Sequence, residues 1–127
     1  MSKDVPHGEP ATRTLAMPGD TNPHGDVFGG WVLSQMDIAG GVVASETSRG
    51  RSVTVAVESM TFIRPVLVGD ILGCYTEVIN IGRTSMKIKI EAWVRRDFSH
   101  IKVTEGIFTY VAVDRDRRPR AVPKNSN

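Results

Sequence analysis

The stretch WVLSQMDIAGGVVASETSRG, residues 31–50, decides the fold, because it is the segment whose apolar positions recur at helical spacing. Leu33, Met36, Gly40, Val43, Ala44 and Thr47 fall within one stripe, which predicts a helix over Trp31–Ser48. Arg49 sets a positive charge near the negative end of the helix dipole, and Gly50 supplies a residue able to adopt the left-handed conformation that closes a helix. Gly40 and Gly41 each cost about 1 kcal/mol against alanine in a helix interior. Close approach of the helix backbone to a sheet would offset that loss.

Around this helix the chain reads as strands. Arg13–Met17 (RTLAM) is a short first strand, ended by Pro18, Gly19 and Asp20. Val53, Val55 and Val57 alternate with Thr54, Ala56 and Glu58, the pattern of a half-buried strand. After Pro65 and the Gly69–Asp70 turn, β-rich sequence resumes over Ile71–Ile81. Beyond Gly82 and Arg83, Met86, Ile88, Ile90, Ala92 and Val94 face one way, and Lys87, Lys89, Glu91 and Trp93 the other. A last strand runs over Ile101–Val113, with Phe108 and Tyr110 on one face. One helix followed by a run of antiparallel strands predicts an α+β fold with the sheet wrapped around the helix.

The 127 residues fit one domain, 1–127, with flexible ends expected at about 1–10 and 121–127. Hydrophobic residues at 40% and charged residues at 24% exclude a disordered or fibrous chain. The single Cys74 excludes an internal disulfide framework. The opening MSKDVPHGEP carries charges and prolines in place of an apolar leader, and no run approaches the roughly 18 apolar residues of a membrane span. A cytoplasmic protein with no membrane association is expected. From Asp114 onward, Arg115, Arg117, Arg118, Arg120 and Lys124 outnumber Asp114 and Asp116, a local +3 against a whole-chain +2. This arm suits phosphate groups or serves as a solvated tail; no basic helix, zinc spacing or stacking motif accompanies it, so no nucleic-acid role is expected.

Two features can carry chemistry. Gly29 and Gly30 precede the helix, where unpaired backbone N–H groups and the positive end of the helix dipole suit a phosphate or a developing oxyanion. Neither a Walker loop nor a dinucleotide fingerprint follows, and a tight turn into a helix also explains the pair. Asp37 lies in the helix body at the edge of the apolar stripe, among Met36, Ile38, Ala39, Gly40 and Gly41. It reads as a nucleophile or general base, or as a surface carboxylate at the stripe edge. In the preceding loop, Asn22 can polarise a carbonyl or orient a water, or simply make the turn before Pro23. His24 has no partners at metal-ligand spacing, so no metal is expected.

RTLAMPGDTNPHGDVFGGWVLSQMDIAGG followed by VTVAVESMTFIRPVLVGD resembles the hotdog-fold acyl-coenzyme A thioesterases, in particular their bacterial YciA-like group, over about Arg13 to Pro123. The resemblance implies a hotdog fold and hydrolysis of acyl-CoA to a free acid and coenzyme A. It implies Asp37 as the catalytic carboxylate, Asn22 as its loop partner, and the helix start at Gly29 and Gly30 as the oxyanion site. No cofactor is implied, coenzyme A being part of the substrate. Arg64, Arg83, Arg118 and Arg120, with Thr84 and Ser85 as neutral donors, are candidates for its phosphates. Gly30 and Asp37 are seven positions apart, about 10 Å along a helix at about 1.5 Å per residue. A carbonyl about 3 Å from the helix-start donors lies beyond the same chain's Asp37. The expectation is therefore a site shared across a two-fold dimer, in a homo-oligomer built from dimers such as a hexamer. The competing readings are a hotdog dehydratase, whose catalytic histidine His24 and His100 do not supply, and a noncatalytic acyl-CoA sensor.

Overall fold

A computed structural model describes residues 5–124. Residues 1–4 and 125–127, part of the ends expected to be flexible, lie outside the described residues. The element order is β1 (Thr12–Leu15), a 3-10 turn (Pro18–Asp20), α1 (Gly29–Ser48), β2 (Ser52–Phe62), β3 (Ile71–Ile81), β4 (Ser85–Arg96) and β5 (Ser99–Ala112). The strands form one antiparallel sheet in the order β1-β3-β4-β5-β2, and α1 touches all five. This is the α+β arrangement that the alternation of patterns predicts.

The core lies between helix and sheet. Met36, Ala39, Gly40 and Ala44 meet Cys74, Met86, Ile88, Ile90, Ala92, Phe108 and Tyr110, all buried. Each large apolar side chain buried there contributes roughly 1.5–3 kcal/mol. β4 alternates as expected, and Met86, Ile88, Ile90, Ala92 and Val94 face the helix. A register shift at Ala92/Trp93 buries Trp93 as well, and its indole donates to Glu91 Oε1 at 2.9 Å.

Several expectations are corrected. The buried stripe of α1 is Val32, Met36, Ala39, Gly40, Ala44 and Ser48, and Leu33 is exposed. The helix begins at Gly29, two residues before Trp31, because the N–H groups of Trp31 and Val32 already bond to Phe28 O. At the other end Arg49 takes the left-handed conformation (φ 57°, ψ 42°) in place of Gly50. Gly50 is small for another reason: a Cβ there would lie 2.6 Å from the Arg120 guanidinium. Close approach to the sheet holds for Gly40, where a Cβ would meet Ile90 Cδ1 at 2.6 Å and overlap the Tyr110 hydroxyl. It does not hold for Gly41, whose Cβ would meet nothing within 4 Å.

β2 is not half-buried. It is the sheet edge beyond α1, interrupted by register shifts after Thr54 and Glu58, and Val53, Val55 and Val57 are all exposed. At the C-terminal end, Val122 packs in the core and its N–H bonds to Arg83 O at 2.8 Å.

Candidate active site

The loop before α1 is closed by its own backbone and by Asn22. Asn22 Oδ1 accepts from the N–H groups of His24 (2.9 Å) and Asp26 (3.1 Å), and the Asn22 N–H donates to Asp26 O at 2.7 Å. Its side-chain oxygen is thus committed to the turn, which leaves the amide NH2 as its free polar group. The loop delivers the chain to Phe28, which caps the helix without any side-chain bond. Among the described residues the N–H groups of Gly29 and Gly30 have no partner, both glycines are exposed, and the first turn holds no acidic side chain. A helix start left open in this way offers donors and positive potential to an anion or oxyanion.

Asp37 is half-buried on the α1 face toward β2 and β5. Thr54 of β2 donates to its Oδ1 at 2.6 Å, and the Tyr110 hydroxyl of β5 lies 3.0 Å from both Oδ1 and the Asp37 backbone oxygen. Oδ2 accepts no hydrogen bond among the described residues. Burial, the Asp37 charge and the hydrogen bond to it all push the Tyr110 phenol well above its usual range, so it stays a protonated donor. Asp37 borders an open groove with Gly41, Val42, Ser45 and Glu46 of α1 and with Ser52, Thr54 and Tyr110 of the sheet. Past Ser45 and Ser52 the groove continues between Arg51 and Arg117.

Within one chain the groove does not reach Asn22, Gly29 or Gly30. The phosphate candidates are divided as well. Arg64 is exposed just after β2, near the helix start, where the Phe62 ring would touch a Gly29 Cβ at 3.5 Å. Arg83, Thr84 and Ser85 lie at the β3–β4 turn, bonded through Thr84 O to Ala112 and through Arg83 O to Val122. Arg118 is exposed in the turn after β5, its N–H on Asp114 Oδ1 at 3.0 Å. Between the two groups runs a helix of 20 residues, about 30 Å long.

Arg120 is a correction. Its guanidinium donates to Val113 O (2.8 Å), Ser48 O (2.9 Å), Ser48 Oγ (3.3 Å) and Arg51 O (3.2 Å). These bonds occupy the side chain in closing the end of α1, and they remove it from the phosphate candidates. Thr54 and Tyr110, which the sequence reading passed over, belong to the site. In sequence Thr54 is one member of an alternating strand and Tyr110 one core aromatic; the one available signal was a buried tyrosine's need for a hydroxyl partner. Among the described residues no cluster of three or more His, Cys, Asp or Glu could hold a metal ion, and no helix is long and apolar enough to cross a membrane.

Residues 24–97 match the thioesterase superfamily. The chain is 53% identical over 125 residues to the acyl-CoA thioester hydrolase YciA of Escherichia coli, covering 94% of this chain and 95% of that protein. A hexameric thioesterase from Yersinia pestis superposes with a TM-score of 0.91 at 51% identity, over 95% of this chain and 100% of that one. An acyl-CoA hydrolase from Staphylococcus aureus, solved with butyryl coenzyme A and coenzyme A, gives 0.81 at 28% identity over 88% of this chain and 70% of that one. The S. aureus protein has also been solved with alanine replacing an aspartate, an asparagine or a threonine.

Proposed function

The chain belongs to the thioesterase superfamily, and from that premise we propose that it hydrolyses acyl-CoA thioesters to the free acid and coenzyme A at a site shared by two copies. One observation carries the reading: among the described residues the Asp37 carboxylate has one oxygen bonded by Thr54 and Tyr110 and the other without a hydrogen bond, on a residue that lines a groove, in the same helix whose first two N–H groups lack partners. The aspartate, asparagine and threonine exchanged for alanine in the S. aureus hydrolase match in residue type Asp37, Asn22 and Thr54 of this chain.

Exposed Ile38 and Val42 on α1 and exposed Val53, Val55 and Val57 on β2 bracket the groove with apolar surface, which a second copy covers. With the two-fold axis set across α1, the paired helices run antiparallel and Asp37 comes beside Gly30 of the partner subunit. The same pairing brings the partner's Arg64 toward the end of the groove that holds Arg51 and Arg117. The coenzyme A phosphates bind there, with Thr84, Ser85 and Arg118 nearby. Three such dimers make a hexamer, the state of the Y. pestis relative.

In the reaction, the helix-start amides of one copy hold the thioester oxygen as it gains charge. Asp37 of the other either deprotonates a water positioned by the Asn22 amide or attacks the carbonyl itself to form an anhydride that water opens. Either route releases coenzyme A as a thiolate, a leaving group that needs little acid assistance. Hydrolysis of this kind requires no cofactor, and a cytoplasmic location accords with its substrate. Single-turnover reaction in heavy-oxygen water separates the routes, since anhydride opening at Asp37 places the label in that carboxyl.

The deciding test is thiol release from acyl-CoAs of increasing chain length by wild type and Asp37→Asn. The variant keeps an Oδ1 for Thr54 and Tyr110 but loses the charge. Turnover by wild type and its loss in the variant support the hydrolase; acyl-CoA binding by wild type without thiol release would make the chain a sensor instead.

A further inference from the structure

We propose that Tyr110 is a positioning residue for the reaction, holding the Asp37 carboxylate so that Oδ2 is the oxygen presented to substrate or water. The inference rests on the thioesterase reading. Tyr110 is 1% exposed and reaches Asp37 across 73 positions of sequence, from β5 beneath the helix. Its ring stacks on Phe108, with centroids 6.4 Å apart and planes 15° from parallel, which fixes the direction of its hydroxyl. The helix makes room for that hydroxyl at Gly40, where a Cβ would overlap it.

The arrangement has a chemical asymmetry. Thr54 donates to Oδ1 from the exposed edge strand, and the single Tyr110 proton, coming from the core, is shared between Oδ1 and the Asp37 backbone oxygen at 3.0 Å each, so both donors bear on Oδ1 and neither on its twin. A carboxylate bonded from two sides at one oxygen cannot rotate about χ2 without breaking a charge-assisted hydrogen bond. The phenol is also kept protonated by its burial and by the neighbouring negative charge, so it remains a donor throughout the working pH range. Thr54 alone, on an exposed strand next to a register shift, leaves the carboxylate a single anchor.

The test is steady-state hydrolysis by the assembled enzyme with wild type, Asp37→Asn, Thr54→Val, Tyr110→Phe and the Thr54→Val/Tyr110→Phe pair, each also melted thermally. Tyr110→Phe keeps the ring stack and should lower kcat roughly 10- to 100-fold with KM unchanged, the scale of a misplaced reacting group. The double variant should lose more than the product of the single losses, because both anchors hold one atom. A second replacement, Tyr110→4-aminophenylalanine, retains a ring and an N–H donor and should bring kcat back to within a few-fold of wild type; this arm decides the matter if Tyr110→Phe folds poorly. Undiminished kcat in Tyr110→Phe, or no recovery with the amino analogue, overturns the proposal while wild-type turnover and the Asp37→Asn loss leave the thioesterase standing. Absence of turnover in wild type overturns both.

Discussion

Replacing Arg120 by alanine should destabilise the chain by about 2–3 kcal/mol and leave KM for acyl-CoA within about two-fold of wild type. The figure comes from the four acceptors of its guanidinium. The bonds to Val113 O and Ser48 O, at 2.8 and 2.9 Å, contribute about 1–1.5 kcal/mol each, and those to Ser48 Oγ and Arg51 O, at 3.3 and 3.2 Å, about half a kcal/mol each. The Arg51 carbonyl keeps the Val113 N–H as a donor at 3.0 Å, which recovers part of the loss, whereas Ser48 is fully buried and its carbonyl is left short of a donor. For a chain of 127 residues this corresponds to a fall in Tm of roughly 8–12 °C, read by thermal denaturation at fixed protein concentration. Gly50→Ala supplies an internal control. Its Cβ would lie 2.6 Å from the guanidinium, so it should destabilise wild type by displacing Arg120 and be nearly neutral in Arg120→Ala. An unchanged Tm together with a several-fold rise in KM would refute the reasoning and return Arg120 to the coenzyme A phosphates.

Gly29→Pro removes one helix-start N–H at the first helical position, after a Phe28 already extended (ψ 135°), so it should fold normally. If that amide holds the oxyanion, kcat falls roughly 100- to 1,000-fold. Mixed with Asp37→Ala, it should regain activity in verified heterodimers, which contain one intact shared site; no recovery means that the sites are not shared. The Cys74 thiol is buried, and desolvation raises its pKa to about 11. Because the thiolate forms only as pH approaches 11, Cys74 should resist iodoacetamide at pH 8 in the native protein and react on unfolding; rapid native labelling would contradict the burial.

The elements were legible because their signals are local. β3 matches the Ile71–Ile81 segment that its flanking turns delimit, and β4 shows the alternation of Met86 through Val94. Asp37 stood out for a local reason too, a carboxylate beside an apolar stripe inside a helix. The Gly29–Gly30 pair carried its meaning in its position at a helix start, which any helix-forming sequence after it reveals. The errors fell where two locally plausible residues compete. Gly50 is the better left-handed residue by intrinsic preference, yet the left-handed step comes at Arg49, whose N–H and that of Gly50 both bond to Ser45 O.

The sequence by itself determined which segments are helix and strand, that they form one α+β unit, and that Asp37 lies seven residues past the open helix start, since periodicity and helical rise depend only on neighbours along the chain. The tertiary structure alone decided what meets Asp37. Thr54 and Tyr110 reach it from 17 and 73 positions away, placed by the pairing of β2 with β5 beneath α1. It likewise turned Arg120 from a tail cation into the clasp on Ser48, and left the valines of β2 on an uncovered edge. Long-range register depends on how the whole sheet closes on the helix, and no local pattern encodes that.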